Sequence, residues 1–149
     1  DYKCWACGIH KSQAKYHQWL EAHEIYEIDY SIGEVKFVDI CALCHSCHNF
    51  IHSGRLVSLF RKQDLDKNKI VDILKHGFDV LRNNNLKMNP FALKVAQEVN
   101  KCLYTEYKKY GFHEFGICLA EWEDWHMIVD GKKHYGKFDS FKEWREFYS

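Results

Sequence analysis

Four cysteines constrain this chain more than any other feature in it. Cys4 and Cys7 form one C-x-x-C pair, in "CWAC", and Cys44 and Cys47 form another, in "CHSC". Two-residue spacing lets both thiolates of a pair face one ion from a tight turn. Two such pairs complete a tetrahedral Cys4 shell for structural Zn2+. The segment that carries them, about fifty residues, is too short to fold on apolar burial alone, so the metal is expected to supply much of its folding free energy. Seven cysteines is an odd total, which argues against a disulfide framework and for a reducing compartment. Cys41, Cys102 and Cys118 lie outside the pairs and read as small buried hydrophobes.

Around the cysteines the chain divides into three segments of an α+β fold. Residues 1–54 hold both pairs. There "YHQWLEAHEIYEIDY" reads as a strand, "SIG" as a turn and "EVKFVDICAL" as a second strand. "HSCHNFIHSG" reads as a short helix opening at Cys44 or His45 and closing at Gly54. Residues 55–111 read as helical. Ile70, Ile73, Leu74, Phe78 and Leu81 form one stripe, and a second helix runs from Asn89 as N-cap, with Pro90 at N1, to Gly111. Residues 112–149 contain Asp130-Gly131, a two-residue hairpin signal, followed by a terminal helix with Ser140 and Glu143 as a capping box. Phe141, Trp144 and Phe147 on that helix have the spacing of a buried stripe. All three segments are expected to pack as one compact unit.

The formal net charge is zero, with 21 basic and 21 acidic residues. The zero hides a pattern: residues 1–52 are acidic, 53–110 are basic and the rest is acidic again. The basic middle third can face phosphate, or its Lys and Arg can simply solvate helices. No apolar run has the length of a membrane span and no signal-peptide pattern occurs, so a cytoplasmic protein is expected. Asp1 stands where an initiator Met would be, and a Cys pair follows almost at once. Residues upstream are therefore expected to have been removed.

Histidines suggest a second metal. His48 and His52, four apart in a helix, project from one face. His23, on the first strand, is placed to oppose them in a strand–strand–helix arrangement. Three neutral imidazoles with open positions suit a catalytic metal that holds water or a phosphate oxygen.

The combination of "CWAC", "WLEAHEI" and "ICALCHSCHNFIHSG" resembles the HNH endonuclease family over residues 4 to about 55, most closely its bacterial and phage members with a Cys4 zinc framework. The resemblance implies a ββα-metal fold with Cys4, Cys7, Cys44 and Cys47 on zinc. It also implies a second divalent cation (Mg2+, Mn2+, Ni2+ or Zn2+) on His23, His48 and His52. DNA would be the substrate, in a bacterial or phage-infected cell. Two positions depart from the family. Glu24 stands where the general-base His is expected, and Asp39 where an Asn usually orients that base. With His23 they make up the expected catalytic set. The expectation is a metal-dependent endonuclease that hydrolyses DNA phosphodiester bonds, weakened by Glu24 and Asp39. The alternative is a catalytically inactive HNH-like zinc module that binds a nucleic acid or a protein partner, as a phage- or defence-related regulator or inhibitor.

Overall fold

Apolar periodicity decides where the interior lies. A computed structural model describes residues 1–62, 65–114 and 118–147, apart from the side chain of Val57. Five helices carry the first half: α1 (His45–Ile51), α2 (Ser53–Arg61), α3 (Lys67–Asn83), α4 (Pro90–Val99) and α5 (Lys101–Lys108). Helix α3 buries Ile70, Ile73, Leu74, Gly77 and Phe78, an i, i+3, i+4, i+7, i+8 stripe. It meets Ala92, Leu93, Val95, Ala96 and Val99 of α4, Leu103 and Tyr107 of α5, Leu56 of α2 and Phe50 of α1 in one core.

Two helix boundaries differ from the expected ones. Gly54 does not end a helix. His52 leaves helical geometry (φ −87°, ψ 39°) and α2 starts at once with Ser53, so Gly54 sits in the first turn of α2. The long helix expected from Asn89 to Gly111 is two helices broken at Asn100. Asn100 is extended (φ −157°, ψ 99°), and its side-chain oxygen accepts from Leu103 N–H at 3.1 Å. An Asn carboxamide that caps a new helix competes with continuation of the old one. Asn89 caps α4 as expected, accepting from Phe91 and Ala92 N–H at 2.9 and 3.2 Å.

Gly77 positions α1. A Cβ there would lie 2.1 Å from Cγ of Phe50, so only glycine lets the ring lie flat on α3. The helix seated in this way carries His45, Cys47 and His48.

Strands dominate the other half. The sheet runs in the order β1 (Glu21–Asp29), β2 (Glu34–Leu43), β3 (His126–Val129), β4 (Lys132–Tyr135). β3 pairs parallel to β2 through Glu34↔His126 and antiparallel to β4. Asp130 and Gly131 both have positive φ, 50° and 73°, as a type I′ hairpin requires. Helix α6 (Phe141–Phe147) follows. Glu143 N–H donates to Ser140 Oγ at 3.2 Å, but the Glu143 carboxylate reaches back to Asp139 N–H rather than to Ser140. Phe141, Trp144 and Phe147, expected to be buried, are 54%, 41% and 59% exposed. They pair at the surface, Phe141 on Trp144 and Phe147 against Phe138. Cys41 is buried as expected, whereas Cys102 and Cys118 are exposed. Helix α5 turns Leu103 and Tyr107 inward, which leaves Cys102 facing solvent.

The chain forms two compact units. The first is Asp1–His23 with Ala42–Glu114, and the second is Glu24–Cys41 with Phe115–Ser149. These cut across the three consecutive segments read from the sequence, because the β1–β2 hairpin leaves the first unit after His23 and returns at Ala42. Among the described residues no helix is long and apolar enough to cross a membrane.

Candidate metal centres

Three clusters of potential ligands lie in the first unit. The cysteine cluster is built from a knuckle and a helix start. Cys4 N–H donates to the Ile9 carbonyl at 2.8 Å, and Gly8, at φ 72°, donates back to the Cys4 carbonyl at 2.9 Å. Trp5 N–H ties this turn to the Ala42 carbonyl at the end of β2. Cys44 is the N-cap of α1, and Cys47 lies within the helix's first turn. The four sulfurs lie within 4.8 Å of one another, all as free thiols, and can hold a metal ion. Burial pushes the Cys7 thiol up to about 12, while S–H donors on Cys44 and Cys47 hold Cys4 below the usual thiol value.

One neighbour of this shell carries no motif-level signal in the sequence. His76 of α3 places Nε2 3.3 Å from Cys47 Sγ and 3.9 Å from Cys44 Sγ. An imidazole N–H aimed at thiolates stabilises their charge and orients them on a metal. Burial lowers the His76 pKa, keeping the ring in its neutral, single-donor form.

The structure also brings His23, His48 and His52 together. Their donor nitrogens lie within 4.8 Å of one another, and their ring centroids are 5.0–5.4 Å apart. Nδ1 of His23 is buried with no hydrogen-bond partner. An unsatisfied buried polar atom costs about 1–3 kcal/mol, and a cation among three imidazoles removes that cost. The residues therefore fit a metal.

Sequence reasoning missed the residue at the centre, Glu21. One of its oxygens accepts from His48 Nδ1, and the other lies 2.7 Å from both His17 Nε2 and His45 Nδ1. With Nδ1 donating, His48 keeps its Nε2 lone pair for an ion. Burial raises the Glu21 pKa, but the imidazoles of His45, His48 and His17 around it outweigh burial and bring the carboxyl down to about 2. Two signals were available. Glu21 is two residues before His23 on one strand face. His45, His48 and His52 share a helical stripe at i, i+3, i+7.

Glu24 and Asp39 belong to the second unit. Glu24 falls on the exposed phase of β1, alternating with half-buried Glu21, His23 and Ile25. Asp39 is exposed on β2, and its Oδ1 accepts from Ile40 N–H at 2.7 Å. No protein-family model matches this chain, and neither a curated protein nor a solved structure matches it.

Proposed function

We propose that the chain is a metal-dependent endonuclease of the ββα-metal type, hydrolysing DNA phosphodiester bonds, with Zn2+ in the Cys4 shell as its scaffold. One observation carries the reading: His23, His48 and His52 bring donor nitrogens within 4.8 Å of one another, and Nδ1 of His23 is buried with no hydrogen-bond partner. A divalent ion bound there, Mg2+, Mn2+, Ni2+ or Zn2+, supplies Lewis-acid stabilisation of the charge that develops on the phosphate. Glu21 fixes the tautomer of His48. In this reading the resemblance to the HNH family assigns Glu24 the general-base position and Asp39 the orienting one. General-base assistance is worth about 10²–10⁴-fold, and a carboxylate, a weaker base than imidazole, delivers only part of it near neutral pH. The Lys and Arg residues of 53–110 give backbone affinity, which weakens as salt rises.

The test is plasmid nicking by zinc-loaded protein with each cation in turn. His48→Ala is expected to abolish nicking and Glu24→Gln to slow it. The proposal fails if no cation supports nicking that His48→Ala removes. A second reading, a non-cleaving zinc module that binds a nucleic acid or a protein, is favoured by the exposed phase of Glu24. DNA retention that falls with salt, without cleavage, selects nucleic-acid binding; no retention selects a protein partner.

A further inference from the structure

We propose that His17, Glu21 and His45 form a further metal site, one that takes a first-row divalent transition ion. Too few protons are present for these three side chains to pair with one another. His17 Nδ1 lies 3.2 Å from the Trp19 carbonyl oxygen, which can only accept, so Nδ1 carries hydrogen. In the neutral ring Nε2 is then a lone pair, yet it faces Glu21 Oε1 at 2.7 Å, another acceptor. His45 Nδ1 is 2.7 Å from the same oxygen and 3.1 Å from His17 Nε2. A single hydrogen on His45 Nδ1 serves one well-aligned acceptor and leaves two electron-rich atoms in contact. A second N–H, on His17 Nε2, would crowd two hydrogens from nitrogens 3.1 Å apart against one oxygen. A cation shared by all three atoms resolves the conflict.

The donor chemistry narrows the ion. Two imidazoles and a carboxylate suit Zn2+, Fe2+, Co2+ or Ni2+ rather than Mg2+ or Ca2+, which prefer all-oxygen shells. The side chains of His17, Glu21 and His45 are 12%, 21% and 20% exposed, so the site is sheltered yet open to an entering ion. Trp19 stacks on His17 with ring centroids 3.8 Å apart and ring planes nearly parallel, which gives the site its own optical reporter. Glu21 also ties this site to its neighbour, because its other oxygen holds His48 Nδ1. Loss of the carboxylate is therefore expected to remove the His17–His45 ion and to weaken binding at His23–His48–His52 by about 10–100-fold, the usual cost of removing an outer-shell partner.

The inference does not depend on cleavage, and its test does not use it. Full-length protein with zinc retained in the Cys4 shell is dialysed against Ni2+, and bound nickel and Trp fluorescence are measured. His17→Ala/His45→Ala is expected to bind one nickel fewer than wild type while keeping its zinc, and His23→Ala/His52→Ala to lose a different one. Nickel is expected to quench wild-type fluorescence, and Trp19→Phe to remove most of that response. Unchanged nickel stoichiometry in His17→Ala/His45→Ala overturns the proposal. If that variant loses its zinc through misfolding, the Trp19 comparison decides. Quenching identical in wild type and Trp19→Phe then overturns it.

Discussion

The two compact units solve the problem of an interior in opposite ways. In the first, helices converge on side chains such as Leu56, Ile70, Ile73, Phe78 and Met88 that have no exposure at all. In the second, the only buried residues among those described are Gly33, Cys41 and His126. Its aromatics are numerous, but they pair at the surface. Both units are rich in apolar residues, so composition does not separate them. What does is length and layering: a helix of 17 residues presents a continuous stripe to several partners. The far ends of β1 and β2, two four-residue strands and a seven-residue helix do not.

Removing metal from the first unit should break this contrast most severely. Structural zinc contributes about 10–16 kcal/mol of apparent binding free energy in small zinc domains. Chelation, or Cys44→Ser, is therefore expected to collapse amide-exchange protection in α1 while leaving that of the β3–β4 hairpin as it was. Equal loss in both units would show that their stabilities are not separable.

Gly77→Ala tests packing in the same unit without touching a ligand. The added methyl meets the Phe50 ring, and the expected loss is about 1–3 kcal/mol in chemical denaturation of the zinc-loaded protein. In a Phe50→Ala background the same change should become neutral or gain up to about 1 kcal/mol from helix propensity. A cost that persists there would place the clash elsewhere.

Asp79 sharpens the comparison through pH. Burial raises its pKa, but the Tyr107 hydroxyl at 2.6 Å, with Lys75 and Arg82, lowers it below the ordinary 3.8. A depressed folded pKa contributes stability above pH 3.8 that is lost as pH falls through the folded value. Asp79→Asn should cost about 1 kcal/mol near neutral pH, and its gap from wild type should close in acid. A gap independent of pH would mean that the ionised carboxylate contributes nothing specific.

The smallest effect belongs to the second unit. Trp144→Ala removes a stacked but exposed partner of Phe141 and is expected to cost about 0.5–1.5 kcal/mol. Phe78→Ala, in the helical core, should cost about 3–5 kcal/mol. Comparable values would undo the distinction drawn between the units.

Legibility in the sequence followed the same line. The Cys pairs, β2, the α3 stripe, the Asn89 cap and the Asp130-Gly131 turn were readable because each rests on local spacing or local backbone chemistry. His23, His48 and His52 were readable as a group because strand and helix periods place them on facing surfaces. Glu21 and His45 share those faces, but their meeting with His17 was not readable. Their meeting depends on how the loop before β1 folds over α1, and neither period encodes that. His76 lay hidden because α3 reads first as a core helix, and the side of it that faces the sulfurs is set by where Phe50 rests on Gly77. The exposed stripe on α6 was misread because periodicity reports which residues share a face and not whether anything covers that face.

The order of these residues along the chain has a consequence for synthesis. Every donor of the three clusters precedes Ser53, whereas Gly77, the seat for Phe50, and His76 lie well downstream. At about 5–20 residues per second, the thiols and imidazoles leave the ribosome on the order of a second or more before the helix that steadies them. An ion captured by the cysteines in that interval would shield their thiols from oxidation until the helical core closes behind them.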